Sequence, residues 1–217
     1  MTEQLPASVY PARLEIDYPD QHDRVTTLFR VFLIIPIAIV IGVLTTGATQ
    51  TQTVYDQSGQ VVRTSSGGIG TGLFLATLLM ILFARRYPRW WFDFAVELAR
   101  FGARVCAYLV LLTDQYPSTV EEQSVHLQID YPDVERDLNQ WLPLVKWLFA
   151  IPHFLVLAVL SVAAFFAVVI AWFAILFTGR YPRGLFDFVV GVARWWLRVQ
   201  AYASLLVTDR YPPFSLT

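Results

Sequence analysis

Four motifs occur twice in this chain, in the same order, and that repetition limits what it can fold into more than any other feature. Leu14-Glu15-Ile16-Asp17-Tyr18-Pro19-Asp20 returns as Leu127-Gln128-Ile129-Asp130-Tyr131-Pro132-Asp133. Arg86-Tyr87-Pro88-Arg89 with Phe92-Asp93-Phe94 returns as Arg180-Tyr181-Pro182-Arg183 with Phe186-Asp187-Phe188. Arg100, Arg104 and Tyr108 match Arg194, Arg198 and Tyr202, and Thr113-Asp114-Gln115-Tyr116-Pro117 matches Thr208-Asp209-Arg210-Tyr211-Pro212. Self-similarity at this spacing predicts a tandem duplication, with a first repeat over 1–120 and a second over 121–217.

Each repeat carries apolar runs. Residues 28–46 are almost wholly apolar, about the 20 residues a spanning helix needs. Residues 69–84 form a second, shorter run, and 47–68 between them is polar and rich in Gly, Ser, Thr and Gln, so it reads as an outer loop. The second repeat has one run, Trp141–Phe177, which as a straight helix would be about 55 Å long against a hydrocarbon core near 30 Å. Setting Pro36 on Pro152 and Arg86 on Arg180 leaves the first repeat longer by the length of the 47–68 loop. That predicts a tight turn near Ser161–Ala164 and two helices, about 142–160 and 164–178. The fold expected is therefore mainly α: four membrane helices in two hairpins, spanning the bilayer rather than turning within it.

After each hairpin comes Tyr-Pro-Arg and then a proline-free, Trp-rich stretch, 90–113 and 184–208. Pro suits a helix start. Asp93, Glu97, Arg100, Arg104 and Tyr108 fall on one helical face, as do Asp187, Arg194, Arg198 and Tyr202. Charges at the centre of a spanning helix cost about 2.5–3.5 kcal/mol each, so both helices are expected to lie in the interface, apolar face down. Asp93 with Arg198 and Asp187 with Arg104 are candidate charge pairs between the repeats. The segments before the hairpins alternate like short strands and predict a small cytoplasmic sheet, to which Tyr116-Pro117 and 211–216 could add an edge.

Composition places the chain in a membrane: 56% hydrophobic, 15% charged, mean hydropathy +0.50. A net charge of −1 gives no reason to expect nucleic acid. Of 16 Lys and Arg residues only Arg63 lies in the 47–68 loop, so the positive-inside rule puts that loop outside and both termini in the cytoplasm. The first 27 residues hold five acidic residues and no apolar core, so the membrane segments are expected to act as the insertion signal.

Residues for chemistry are few. His153 lies in an apolar run, but Ile37 stands at its place in the first repeat and no second ligand follows at helical spacing. It reads as a structural histidine. His22 and His126 lack metal-ligand spacing, and Asp17, Asp20, Asp130 and Asp133 read as turn residues. The single cysteine, Cys106, sits in an apolar stretch and reads as a small hydrophobe. Arg85, Arg86, Arg89, Arg180 and Arg183 cluster where anionic lipid headgroups would lie and are candidate contacts for them, although positive-inside topology alone would also place them there. No nucleophile elbow, phosphate loop or metalloprotease helix is present. No catalytic residue, metal or cofactor is expected.

The second repeat resembles a known family. Leu142-Pro143-Leu144-Val145-Lys146-Trp147-Leu148, Ala150-Ile151-Pro152-His153, Phe177-Thr178-Gly179-Arg180-Tyr181-Pro182-Arg183-Gly184-Leu185-Phe186-Asp187-Phe188, Arg194-Trp195 and Tyr211-Pro212-Pro213-Phe214 are similar to the family labelled domain of unknown function 4389, of bacterial membrane proteins. The first repeat keeps Arg86–Arg89 and Phe92–Phe94 but has Ala84-Arg85 for Thr-Gly and Ile37 for the histidine. The resemblance implies a bacterial inner-membrane protein and no activity. The expectation is a non-enzymatic accessory or assembly subunit of a larger membrane complex, with the bilayer and other membrane subunits or further copies as partners. The alternative is a small lipid-binding or transport protein using the arginine clusters.

Overall fold

The computed structural model describes residues 10–37, 39, 42, 52–55, 61–64, 69–119, 121 and 123–217. In chain order come β1 (Ala12–Ile16), α1 (Arg24–Leu33), β2 (Gln52–Tyr55), β3 (Val61–Thr64), α2 (Ile69–Leu79) and α3 (Arg89–Leu109). These are followed by β4 (Val125–Ile129), the short α4 (Val134–Asp137), α5 (Lys146–Thr178) and α6 (Arg183–Ala203). A π-helical turn, Met80–Ala84, extends α2, and a 3-10 turn, Leu142–Leu144, precedes α5.

The recurring heptapeptides meet each other. β1 pairs antiparallel with β4, and Leu14 stands directly opposite Leu127, the same position of the motif. Alternation buries Ala12, Leu14, Val125 and Leu127 and turns Arg13, Glu15, His126 and Gln128 outward. This sheet holds two strands; neither Tyr116-Pro117 nor 211–216 adds an edge to it. Both of those segments carry prolines, which cannot donate to a ladder.

α3 packs on β4, α6 packs on β1, and α5 lies against the other side of α6. The order is thus sheet, amphipathic helix, apolar helix. α3 and α6 begin at Pro88 and Pro182, in keeping with Pro at a helix start, and end earlier than expected. The stops are Leu111 (φ 67°) and Leu206 (φ 57°), left-handed residues 3% and 0% exposed. A leucine in this conformation costs about 1–2 kcal/mol, which its burial, worth about 1.5–3 kcal/mol, offsets. A glycine there would have been readable as a helix stop; a leucine is not.

The expected hairpin of 142–160 and 164–178 is replaced by one continuous helix, α5, of 33 residues. The reason is local. Between His153 and Thr178 there is neither Gly nor Pro, and Ser161-Val162-Ala163-Ala164 contains nothing that ends a helix. Excess length over a bilayer does not by itself fold a helix back. Four membrane helices are therefore not what the described residues contain: α5 alone is long and apolar enough to cross a membrane. Of the expected helix 28–46, α1 covers the start, while 38, 40–41 and 43–46 lie outside the described residues, as does much of the 47–68 loop. Within that loop β2 and β3 form an antiparallel hairpin.

α5 turns one stripe inward: Lys146, Ala150, His153, Leu157, Ala167, Ala171 and Ile175 are buried. The small residues let α6 approach along most of its length. At the far end α5 stops at Gly179 (φ 75°), whose carbonyl accepts from His22 N–H at 2.9 Å. Gly191 in α6 has a different need: a Cβ there would stand 2.9 Å from the backbone oxygen of Leu216, so glycine lets the C-terminal segment lie on the helix.

Candidate functional site

Two buried polar clusters share one layout, a cation over a tyrosine ring that reaches a threonine carbonyl and an aspartate. In the first, Arg30 of α1 is 3% exposed, lies 4.4 Å over the Tyr108 ring and donates to the carbonyls of Tyr108 (2.9 Å) and Thr113 (3.0 Å). It is ion-paired to Asp114. In the second, Lys146 of α5 is fully buried, 5.2 Å over the Tyr202 ring, donates to the Thr208 carbonyl at 2.7 Å and is ion-paired to Asp209 at 2.7 Å. Arg30 lies six residues before Pro36, and Lys146 six before Pro152.

The Asp114 carboxylate also accepts from the Asp23 N–H at 2.8 Å and lies 3.0 Å from His22 Nδ1. Asp209 accepts from the Asn139 N–H, and Asp23 and Asn139 in turn bond the amides two residues on. Burial alone would raise the Asp114 carboxyl. The hydrogen bonds from His22 and Asp23, with the charges of His22 and Arg30, outweigh it and hold the group below its ordinary value. Each cluster is a latch: a cation on α1 or α5 captures the segment that follows the amphipathic helix α3 or α6.

A second constellation joins the recurring Asp-Tyr-Pro-Asp and Tyr-Pro-Arg motifs. The Tyr18 hydroxyl donates to the Tyr181 carbonyl, and the Tyr131 hydroxyl to the Tyr87 carbonyl. Tyr18 packs edge-on to Phe186 at 4.9 Å, and Tyr131 to Phe92 at 5.1 Å. Arg183 lies 4.5 Å over Tyr18 and Arg89 5.1 Å over Tyr131. Arg194 donates to the Leu14 carbonyl and Arg100 to the Leu127 carbonyl.

These contacts redistribute the residues singled out from the sequence. Arg89 and Arg183 cover tyrosine rings, Arg85 bonds Gln140 at 2.9 Å, and Arg86 and Arg180 are exposed. The pairing of Asp93 with Arg198 and of Asp187 with Arg104 is not formed. Arg104 donates to the Ser118 carbonyl and Arg198 to those of Ser215 and Thr217, while Asp93 and Asp187 stay exposed. The reason is that each arginine reaches the segment that follows its own helix, whose carbonyls need donors. His153 is fully buried: the Trp195 indole donates to its Nδ1 at 3.0 Å, and Phe214 stacks on it at 4.0 Å. Because an indole only donates, Nδ1 holds a lone pair and the proton sits on Nε2. Trp195 is thus a buried packing residue, not an interfacial one. His126 faces Asp17 at 3.2 Å, and among the described residues no group of three His, Cys, Asp or Glu could hold a metal ion.

Between α3 and α6, over Leu14 and Leu127, lies an apolar cavity of about 510 Å³. No sequence signal announced it; its walls mix leucines and aromatic side chains with alanines, a glycine and Cys106, unremarkable one at a time.

Among the described residues the architecture is mostly helical, with one helix long and apolar enough to cross a membrane and two small two-stranded sheets. Residues 143–215, covering nearly all of α5, all of α6 and the segment after it, match the family model described as Domain of unknown function (DUF4389), the family that the motif string resembles. No curated protein and no solved structure matches the chain.

Proposed function

We propose that this chain is a non-enzymatic accessory or assembly subunit of a bacterial cytoplasmic-membrane complex. It is built from two duplicated units around a pseudo-twofold axis and embedded in one leaflet. The observation that carries the reading is the outer face of α5. Leu155, Val159, Val162, Phe165, Phe166, Ile170, Phe173 and Phe177 are each more than half exposed. Each such side chain left in water forfeits about 1.5–3 kcal/mol, so lipid or another protein covers this face.

Support for the duplication comes from the reciprocity of the contacts: Leu14 opposite Leu127, Tyr18 on Tyr181 and Tyr131 on Tyr87, two latches of one design. Support for an in-plane position comes from the layering. Tyr10 bonds the Arg198 carbonyl, Arg194 bonds Leu14, and Tyr18 packs on Phe186, so β1 runs along α6 and hence beside α5. With α5 upright, the open sheet edge and exposed Arg13, Asp17 and Asp130 would lie at hydrocarbon depth, where unpaired backbone is not tolerated. Laid flat, α5 faces the acyl chains and the sheet faces the cytoplasm, with the termini on that side. Arg180 and Arg183 beyond the C-terminal end of α5 then lie on the cytoplasmic side, as the positive-inside rule asks.

The lipid-headgroup alternative is weaker, because Arg85, Arg89 and Arg183 already have partners. Gentle extraction should bring down one membrane protein of defined mass in fixed ratio with this chain. Purification of the chain alone under the same conditions would sink the accessory reading.

A further inference from the structure

We infer that the cavity between α3 and α6 is a binding site for one acyl chain of a bilayer phospholipid. Its volume, about 510 Å³, falls within the ~300–1,000 Å³ of ligand pockets. Leu14 and Leu127 form the floor, and Ala99 and Gly102 of α3 face Ala193 and Leu197 of α6. Among the described residues no charged side chain lines it; Gln200, Ser204 and Cys106 are its polar members. Water gains little in so apolar a space, and a charged headgroup would have no partner there. Hydrocarbon fits.

Two walls lead to the bilayer. Leu73 and Phe74 belong to apolar α2, and Trp196 packs against Phe154, which is 38% exposed on the outer side of α5. The cavity is therefore continuous with the faces that lipid tails would cover. A partner helix is a poorer occupant: one turn, about 10–12 Å across and 5.4 Å tall, would alone fill roughly 500 Å³. A slender chain enters to its full length.

The inference rests on membrane embedding, not on the accessory role. Gly102 gives a clean test, since a Cβ there meets nothing within 4 Å. The full-length protein is placed in nanodiscs of palmitoyl-oleoyl phosphatidylglycerol and phosphatidylethanolamine, then released and weighed by native mass spectrometry. Wild type should retain one phospholipid, and Gly102→Leu should retain it at least fivefold less often while entering nanodiscs equally well. Equal retention by Gly102→Leu, or none by wild type, overturns the site. Failure to enter nanodiscs would instead overturn the embedding itself. Ala99→Phe, filling the same space from the neighbouring turn, decides the matter if Gly102→Leu does not fold.

Discussion

The residues with the most to lose are the buried cations. Arg30 has water on almost none of its surface, and its compensation is two carbonyls, a tyrosine face and Asp114. Removing one partner of a buried pair leaves an uncompensated charge, which typically costs about 3–5 kcal/mol. The Asp114 side chain is 26% exposed, so water softens the loss, and Asp114→Asn should destabilise by about 2–3 kcal/mol, read from chemical unfolding in detergent. The sign of the pH effect follows from the lowered folded-state value. A carboxyl held below its unfolded pKa of about 3.9 gives its full stabilisation above that pH and loses it as pH falls through the folded value. Wild type should therefore lose thermal stability on acidification below about pH 4, and Asp114→Asn should lose less over the same window. An equal acid response in the two proteins would mean that the latch does not set it. The sequence hid this site because Arg30 and Asp114 are 84 positions apart and each looks like an ordinary surface charge.

At the scale of elements, what was legible depended on whether the signal was local. The alternation around Leu14 and Leu127 indicated two strands, and Tyr-Pro-Arg ahead of Trp90 and Gly184 indicated two helix starts, because pleat period and proline chemistry act within a few residues. The turn expected at Ser161–Ala164 failed for the opposite reason: it was argued from total length, with no breaker in those residues to enforce it. Continuity of α5 can be measured. With Cys106 replaced by serine and spin labels on cysteines placed at Ile151 and Phe173, 22 positions apart, a straight helix separates the backbone sites by about 33 Å. A hairpin would bring them to roughly 10 Å, the spacing of packed helices. A long, narrow distance distribution is expected. A short one would restore the hairpin and remove the wall that α6 packs against.

Across the whole molecule, the motifs that recur in sequence explain each other in space. Asp-Tyr-Pro-Asp read alone is a turn; its tyrosine is in fact the donor for the carbonyl inside Tyr-Pro-Arg of the other half. Such complementarity cannot be read from either motif by itself, because the partner lies 163 positions from Tyr18 and 44 from Tyr131. If the halves are equivalent, Tyr18→Phe and Tyr131→Phe should cost similar amounts, about 1 kcal/mol each, and a markedly unequal pair would argue against a shared axis.

The same arrangement bears on how the molecule meets the membrane. Leu155, Val159, Phe166 and Phe173 lie on the outer face of α5 and span 18 residues, about 27 Å along the axis. Nitroxides at these sites, in the Cys106→Ser background, report depth through relaxation by oxygen and by a water-soluble nickel chelate. With α5 flat, all four should lie at one depth within a few ångströms, because the sheet behind α6 must stay in water along their whole length. An upright helix would carry the label through most of a hydrocarbon core near 30 Å, with oxygen accessibility peaking at an interior site. That profile would put the open edge of β1 at hydrocarbon depth and require a second protein to cover it. The depth profile decides which of α5's neighbours share the proposed bilayer with it.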